Sequence, residues 1–188
     1  MGVDRFILTG PPGSGKTTII QHLAEEGLAT AREAATDLIA AWRQEGGDEP
    51  WTSLSFIDAV VKTQRERQIN LGDSSDIQFF DRSPICTLAL AMWLGRPVSD
   101  ALRFEVERIR REKIYRPEVF FVRSLGFVTP TEARRISLAD SIRFGELHEE
   151  VYLANDFKLM YVDTASTPQR AESIKRSVAS LRDLDPKP

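Results

Sequence analysis

The sequence predicts an α/β protein: a parallel sheet with helices on both faces. Three observations lead there. Short apolar runs alternate with longer amphipathic ones along most of the 188 residues, the pattern of βαβ units. The apolar runs are nearly continuous, as strands buried on both faces require. The first of them leads straight into a glycine-rich stretch, "GPPGSGKT" at residues 10–17, which opens a helical segment.

The elements follow in order. Residues 5–10 read as a buried strand and 14–27 as a helix that Gly27 can close. A weak strand, "LATA" at 28–31, precedes a helix over 32–47 that ends at paired glycines. A longer helix over 53–72 ends at Gly72, and "DIQFFD" at 76–81 is the next strand. The helix over 84–94 takes Ser83 as its cap and Pro84 as its first residue. Residues 99–114 are helical, capped by Ser99 or Asp100. "EVFFVR" (118–123) is a strand, 135–156 is largely helix, and "KLMYVD" (158–163) is the last strand. Thr167 and Pro168 open a closing helix over 167–184. With no internal repeat, the chain reads as one domain over 1–183 and a disordered tail over 184–188.

Composition narrows the function. With 41% hydrophobic and 28% charged residues the balance is that of a globular protein. A net charge of −3 leaves no electrostatic footprint for nucleic acid. The basic run over 103–116 is interleaved with Glu105, Glu107 and Glu112 and reads as a solvated helix face. Cys86 is the sole cysteine, so no internal disulfide forms, and it reads as a small buried hydrophobe. His22 and His148 read as ordinary helix residues. The opening apolar run is too short for a signal peptide and no segment approaches a membrane span, so the expected place is the cytoplasm.

The stretch at 10–17 matches G-x-x-x-x-G-K-[ST], and the strand before and helix after it make it a P-loop. Phosphate oxygens must be met by inward backbone N–H groups, which needs glycine where φ is positive or a Cβ would intrude. Gly10, Gly13, Ser14, Gly15, Lys16, Thr17 and Thr18 form this expected cradle. Lys16 would carry charge to the β and γ phosphates, and the Thr17 hydroxyl would hold Mg²⁺. No N-K-x-D sequence of the guanine-selecting kind occurs, which favours ATP.

"FFDRSP" ends a strand with two opposite charges at the edge where such folds bind ligands. Asp81 is expected to hold Mg²⁺, directly or through water, or to orient an acceptor hydroxyl. Arg82 would offer its N–H fork to phosphate or to Asp81. The competing account is a structural salt bridge at a strand end. Residues 123–137 break the regular pattern at Gly126 and Pro130 and carry Arg123, Arg134 and Arg135, as an arginine lid would. Arg134 and Arg135 are its expected working residues, with Arg143 further along. Trp42, Trp51 and Phe56 could stack on an acceptor ring or serve as core.

"DRSP" resembles the D/E-R-S element of deoxynucleoside kinases and the D-R-x element of thymidylate kinases. Through "TGPPGSGKTT", "EAATDLI", "FFDRSP" and "TEARRIS…LHEEVY" the chain resembles a bacterial family of small P-loop kinase-like proteins. These are described as AAA-type ATPases and are related to the ribosylnicotinamide kinase domain of the bifunctional NAD regulator. The resemblance implies a five-stranded sheet in the order 2-3-1-4-5, a lid after the fourth strand, and adenine packed against 162–169. It also implies that Glu33, after the second strand, acts as base toward the acceptor; a partner for the helix dipole is the equal alternative. The expected function is phosphoryl transfer from ATP with Mg²⁺ to a hydroxyl of a nucleoside-like or other small metabolite, by a monomer or homodimer. The alternative is an ATPase or switch acting on a partner protein, although the chain is short for the helical subdomain of ring-forming AAA proteins.

Overall fold

The computed structural model describes residues 2–44, 50–73, 75–128 and 136–184. Five strands form one parallel sheet: β1 (Asp4–Thr9), β2 (Ala29–Ala31), β3 (Ile77–Asp81), β4 (Glu118–Val122) and β5 (Lys158–Val162). Their order is β2-β3-β1-β4-β5, as expected. The helices are α1 (Lys16–Glu25), α2 (Ala34–Gln44), α3 (Leu54–Leu71), α4 (Pro84–Trp93), α5 (Asp100–Arg111), α6 (Leu138–Ala154) and α7 (Thr167–Leu184). Of the expected tail, Leu184 ends α7 and 185–188 lie outside the described residues.

Four helices start at a serine whose side chain accepts a hydrogen bond from a backbone N–H of the first turn: Ser53, Ser83, Ser99 and Ser137. Each such cap is worth about 1 kcal/mol, because it satisfies a donor the helix leaves open. Pro84 follows Ser83 in the first turn of α4, where its missing N–H costs nothing. Ser99, and not Asp100, caps α5. Only α1, among these helices, starts on a left-handed glycine, Gly15, with no side-chain cap.

Side-chain alternation sorts the sheet's two faces. Phe6, Leu8, Phe79, Phe120 and Val122 pack with Ile19, Ile20 and Leu23 of α1 and Ala171, Ile174 and Val178 of α7. Ile7, Phe80 and Val119 point the other way, into a core shared with α3, α4, α5 and α6. The result is three layers, helix on sheet on helix. Phe6 is fully buried with Phe79 and Phe120 at ring distances of 6.0 and 5.8 Å, so truncating it to Ala would cost about 3–5 kcal/mol. β5 departs from the doubly buried pattern, because as an edge strand it leaves Lys158 and Tyr161 exposed.

Register positions the site. Leu8 on β1 stands beside Asp81 on β3, and Thr9 beside Phe121 on β4. The segments leaving β1 and β3 therefore emerge side by side at the carboxyl edge, where the connections diverge and leave a crevice. Among the described residues no helix is long and apolar enough to cross a membrane.

Candidate active site

The loop after β1 wraps as the motif requires. Gly10, Gly13 and Gly15 take φ of 131°, 83° and 85°. A Cβ on Gly10 would sit 2.3 Å from the Val122 carbonyl oxygen, so this position takes glycine on two counts. Because α1 begins uncapped at Gly15, its first N–H groups remain for an anion, reinforced by the helix dipole. Lys16 folds back into the loop and donates to the carbonyls of Gly10 (3.0 Å) and Pro11 (2.8 Å) and to Ser14 Oγ (3.0 Å). Burial and the nearby Arg82 charge pull its pKa down to about 7, against the carboxylates of Asp81 and Glu33. Thr18, the third residue of α1, is exposed.

Thr17 Oγ1 donates to Asp81 Oδ2 at 2.7 Å. The other oxygen, Oδ1, is buried and has no partner. Burial and the Glu33 carboxylate push the Asp81 carboxyl up to about 6, with Lys16, Arg82 and Thr17 opposing. A buried carboxylate with an orphaned oxygen beside a threonine hydroxyl offers hard oxygen donors of the kind Mg²⁺ takes together with phosphate and water. Thr17 and Asp81 thus fit the ion assigned to them. Among the described residues no cluster of three His, Cys, Asp or Glu could hold a metal on its own.

Arg82 turns away from Asp81. Its Nε donates to Glu33 Oε1 at 2.5 Å, and its Nη1 meets His148 Nε2 at 3.3 Å. Its backbone lies in the left-handed region, at φ 73°, which costs an L-residue about 1–2 kcal/mol. The salt bridge foreseen at this strand end therefore exists, but with Glu33. Burial raises the Glu33 pKa, yet Arg82, Lys16 and bonds from Thr36 and Arg82 outweigh it and hold the carboxyl below its usual value. Glu33 Oε2 accepts from Thr36 Oγ1, two residues into α2, at 2.9 Å.

His148 corrects the sequence reading. It is fully buried at the site, with Nδ1 2.7 Å from the Phe144 carbonyl oxygen and the two rings 4.3 Å apart. A carbonyl only accepts, so Nδ1 carries the proton and Nε2 is left as acceptor for Arg82. Burial and the Arg82 charge hold its pKa well below the ordinary histidine value.

Three further residues of α6 reach the same region. Ser141 Oγ donates to the Pro12 carbonyl at 2.7 Å. Gly145 lies against Pro11, whose Cβ would stand 3.1 Å from any Cβ added there. Tyr152 OH lies 2.7 Å from Ser83 Oγ and 3.1 Å from Cys86 Sγ. Cys86 is buried as expected, though in polar company that includes Thr9 Oγ1 at 3.3 Å. Residues 141, 145, 148 and 152 fall on one stripe of a helix. A buried stripe holding serine, glycine, histidine and tyrosine is the sequence signal that could have found them.

The structure brings together Gly10–Lys16, Thr17, Glu33, Asp81 and Arg82. Arg134 and Arg135, with residues 129–133 of the expected lid, lie outside the described residues. Arg123 is exposed, paired with Asp163 at 3.1 Å and set 4.4 Å over the Tyr161 ring. Arg143 is exposed 3.9 Å from Asp140. Phe56 is core, packed with Ala34, Ile39 and Val60, and Trp51 lies against that cluster; Trp42 is exposed.

A family model described as an AAA domain matches residues 5–170. Among solved structures, a deoxyadenosine kinase from M. mycoides with the products dCMP and dCDP shares 16% identity at a TM-score of 0.62, covering 94% of this chain and 99% of that one. NadR protein in complex with NR shares 17% identity at a TM-score of 0.67, covering 95% of this chain. This chain spans 49% of that protein's length. The same deoxyadenosine kinase with bound dATP gives 17% identity and 0.59. At such identities the likeness is one of fold. No curated protein matches the sequence.

Proposed function

This chain belongs to the AAA domain family, and from that premise we propose that it is a P-loop kinase using ATP and Mg²⁺. It would transfer the γ-phosphoryl group to a hydroxyl of a nucleoside-like or other small metabolite. The observation that carries the reading is Thr17 bonded at 2.7 Å to an Asp81 whose second oxygen is buried and unpartnered, at the mouth of the loop. Beside them stands an arginine–glutamate pair that hydrolysis of ATP alone does not call for. The fold shared with a deoxyadenosine kinase and with NadR supports the same class of reaction.

Phosphoryl transfer is mostly a matter of placement and charge. The loop N–H groups and the α1 N-terminus would hold the β and γ phosphates. Lys16 would exchange its carbonyl contacts for phosphate oxygens, which restores its full charge. Mg²⁺, held by Thr17 and Asp81, would neutralise the polyphosphate. The acceptor oxygen bonds to the γ phosphorus as the bond to the β–γ bridging oxygen breaks. Its proton passes to Glu33, which Arg82 keeps ionised at neutral pH. Arg134 and Arg135 would close from a lid over 123–137 of a single domain spanning 1–183.

The AAA family itself favours a second reading, an ATPase or switch acting on a partner protein. One experiment separates them: incubation with Mg²⁺–ATP and pooled nucleosides, ribosides and sugars, followed by mass spectrometry. A phosphorylated species made by the parent and missing with Asp81→Asn establishes the kinase and identifies its acceptor. ADP and free phosphate alone favour the ATPase. Equal binding of ATP by Lys16→Ala and the parent would sink both.

A further inference from the structure

Arg170 lies in the first turn of α7 and reaches the phosphate loop. It is 4% exposed, and its Nη1 donates to the Ser14 carbonyl oxygen at 2.6 Å. Its Nε is buried without a partner, and among the described residues no carboxylate lies within ion-pair distance of it. A Cβ on Gly15 would stand 2.6 Å from Nη2, so the glycine that opens α1 also makes room for this guanidinium. Burial lowers its pKa with no opposing acid. A buried charge without a counter-charge is costly and persists only where something offsets it.

Ser14 is therefore gripped from both sides: its Oγ by Lys16 at 3.0 Å and its carbonyl by Arg170. We propose that Arg170 is a positioning residue for the phosphate loop. It fixes the Ser14–Gly15 peptide so that the N–H groups face the anion, and its uncompensated cation is completed by the polyphosphate. This rests on the nucleotide-binding reading of the same site. It adds to that reading a residue 156 positions away from Ser14, outside the motif, whose effect should scale with phosphate charge.

The test is calorimetric affinity for ATP, ADP, AMP and adenosine, for the parent, Arg170→Gln and Arg170→Lys. Arg170→Gln is expected to weaken ATP and ADP by roughly tenfold, as loss of a charge-assisted contact does, and AMP by less. Adenosine should be unaffected, and the ATP deficit should shrink as salt is raised. Arg170→Lys should recover most of the loss. The melting temperature without ligand should hold or rise, because an unpaired buried charge has gone. Should Arg170→Gln fail to fold, Arg170→Met answers by the same criteria. An equal loss for all four ligands, adenosine included, or no loss for any, overturns the proposal while leaving nucleotide binding standing. A parent that binds none of the four removes the proposed function first, and this inference with it.

Discussion

Arg82 at the end of β3 and Glu33, just past β2, are joined at 2.5 Å across the carboxyl edge of the sheet, from a left-handed arginine backbone. A glycine would take that φ without cost, so the side chain is held there by what it reaches. The pair ties the segments leaving β2 and β3 to one another and commits the Arg82 guanidinium to Glu33 and His148.

Breaking that pair from the acidic side should be expensive. Glu33→Gln leaves a guanidinium that is only 13% exposed without its carboxylate and should cost about 3 kcal/mol, the low end for a broken buried pair, read from the urea midpoint at constant slope. The double variant Glu33→Gln with Arg82→Met should recover much of it. If Glu33→Gln still transfers phosphoryl groups at the parent's rate, its role is structural.

His148 should make stability depend on pH. Its folded pKa lies well below its unfolded value of about 6.5. Its contribution is therefore complete above about pH 6.5 and lost as pH falls toward the folded value, where the unfolded chain binds the extra proton. The charges bearing on it are Arg82 and Lys16, both of which disfavour protonation. Urea midpoints between about pH 7 and 5 should fall for the parent and fall less steeply for His148→Gln. Identical slopes would refute this account.

Gly145→Ala pits two effects against each other. Alanine gains up to about 1 kcal/mol in a helix interior, but its Cβ would press the Pro11 ring at 3.1 Å. Overall stability should shift by less than about 1 kcal/mol, while ATP affinity falls as the loop is pushed. Thermal melts with and without nucleotide separate the two.

Asp81→Asn tests the proposed cation site. It keeps an acceptor for Thr17 but removes the charge. ATP affinity with Mg²⁺ should then match affinity in EDTA, whereas the parent should bind more tightly with the ion.

Much of the fold was legible because its signals are local. Serines precede helices, a proline follows Ser83, and short, nearly continuous apolar runs mark the strands. The phosphate loop was legible because its chemistry needs contiguous residues. Arg170, Ser141, Gly145 and His148 were not, because their partners lie 66 to 156 residues away in the chain. Glu33 and Arg82 were singled out separately, yet nothing local marks them as partners. The edge strand β5 was read as doubly buried because its composition matches that of the inner strands.

Ser141, Gly145, His148 and Tyr152 make α6 touch Pro12, Pro11, Arg82 and Ser83 in turn. One rigid rod thus spans the phosphate loop and the carboxyl end of β3, and sets the spacing between them. For anyone building chimaeras, the helix cannot be transplanted alone. A graft of α6 from a relative should fail unless the matching residues at 11, 12, 82 and 83 travel with it, while the opposite face of the helix can be exchanged freely.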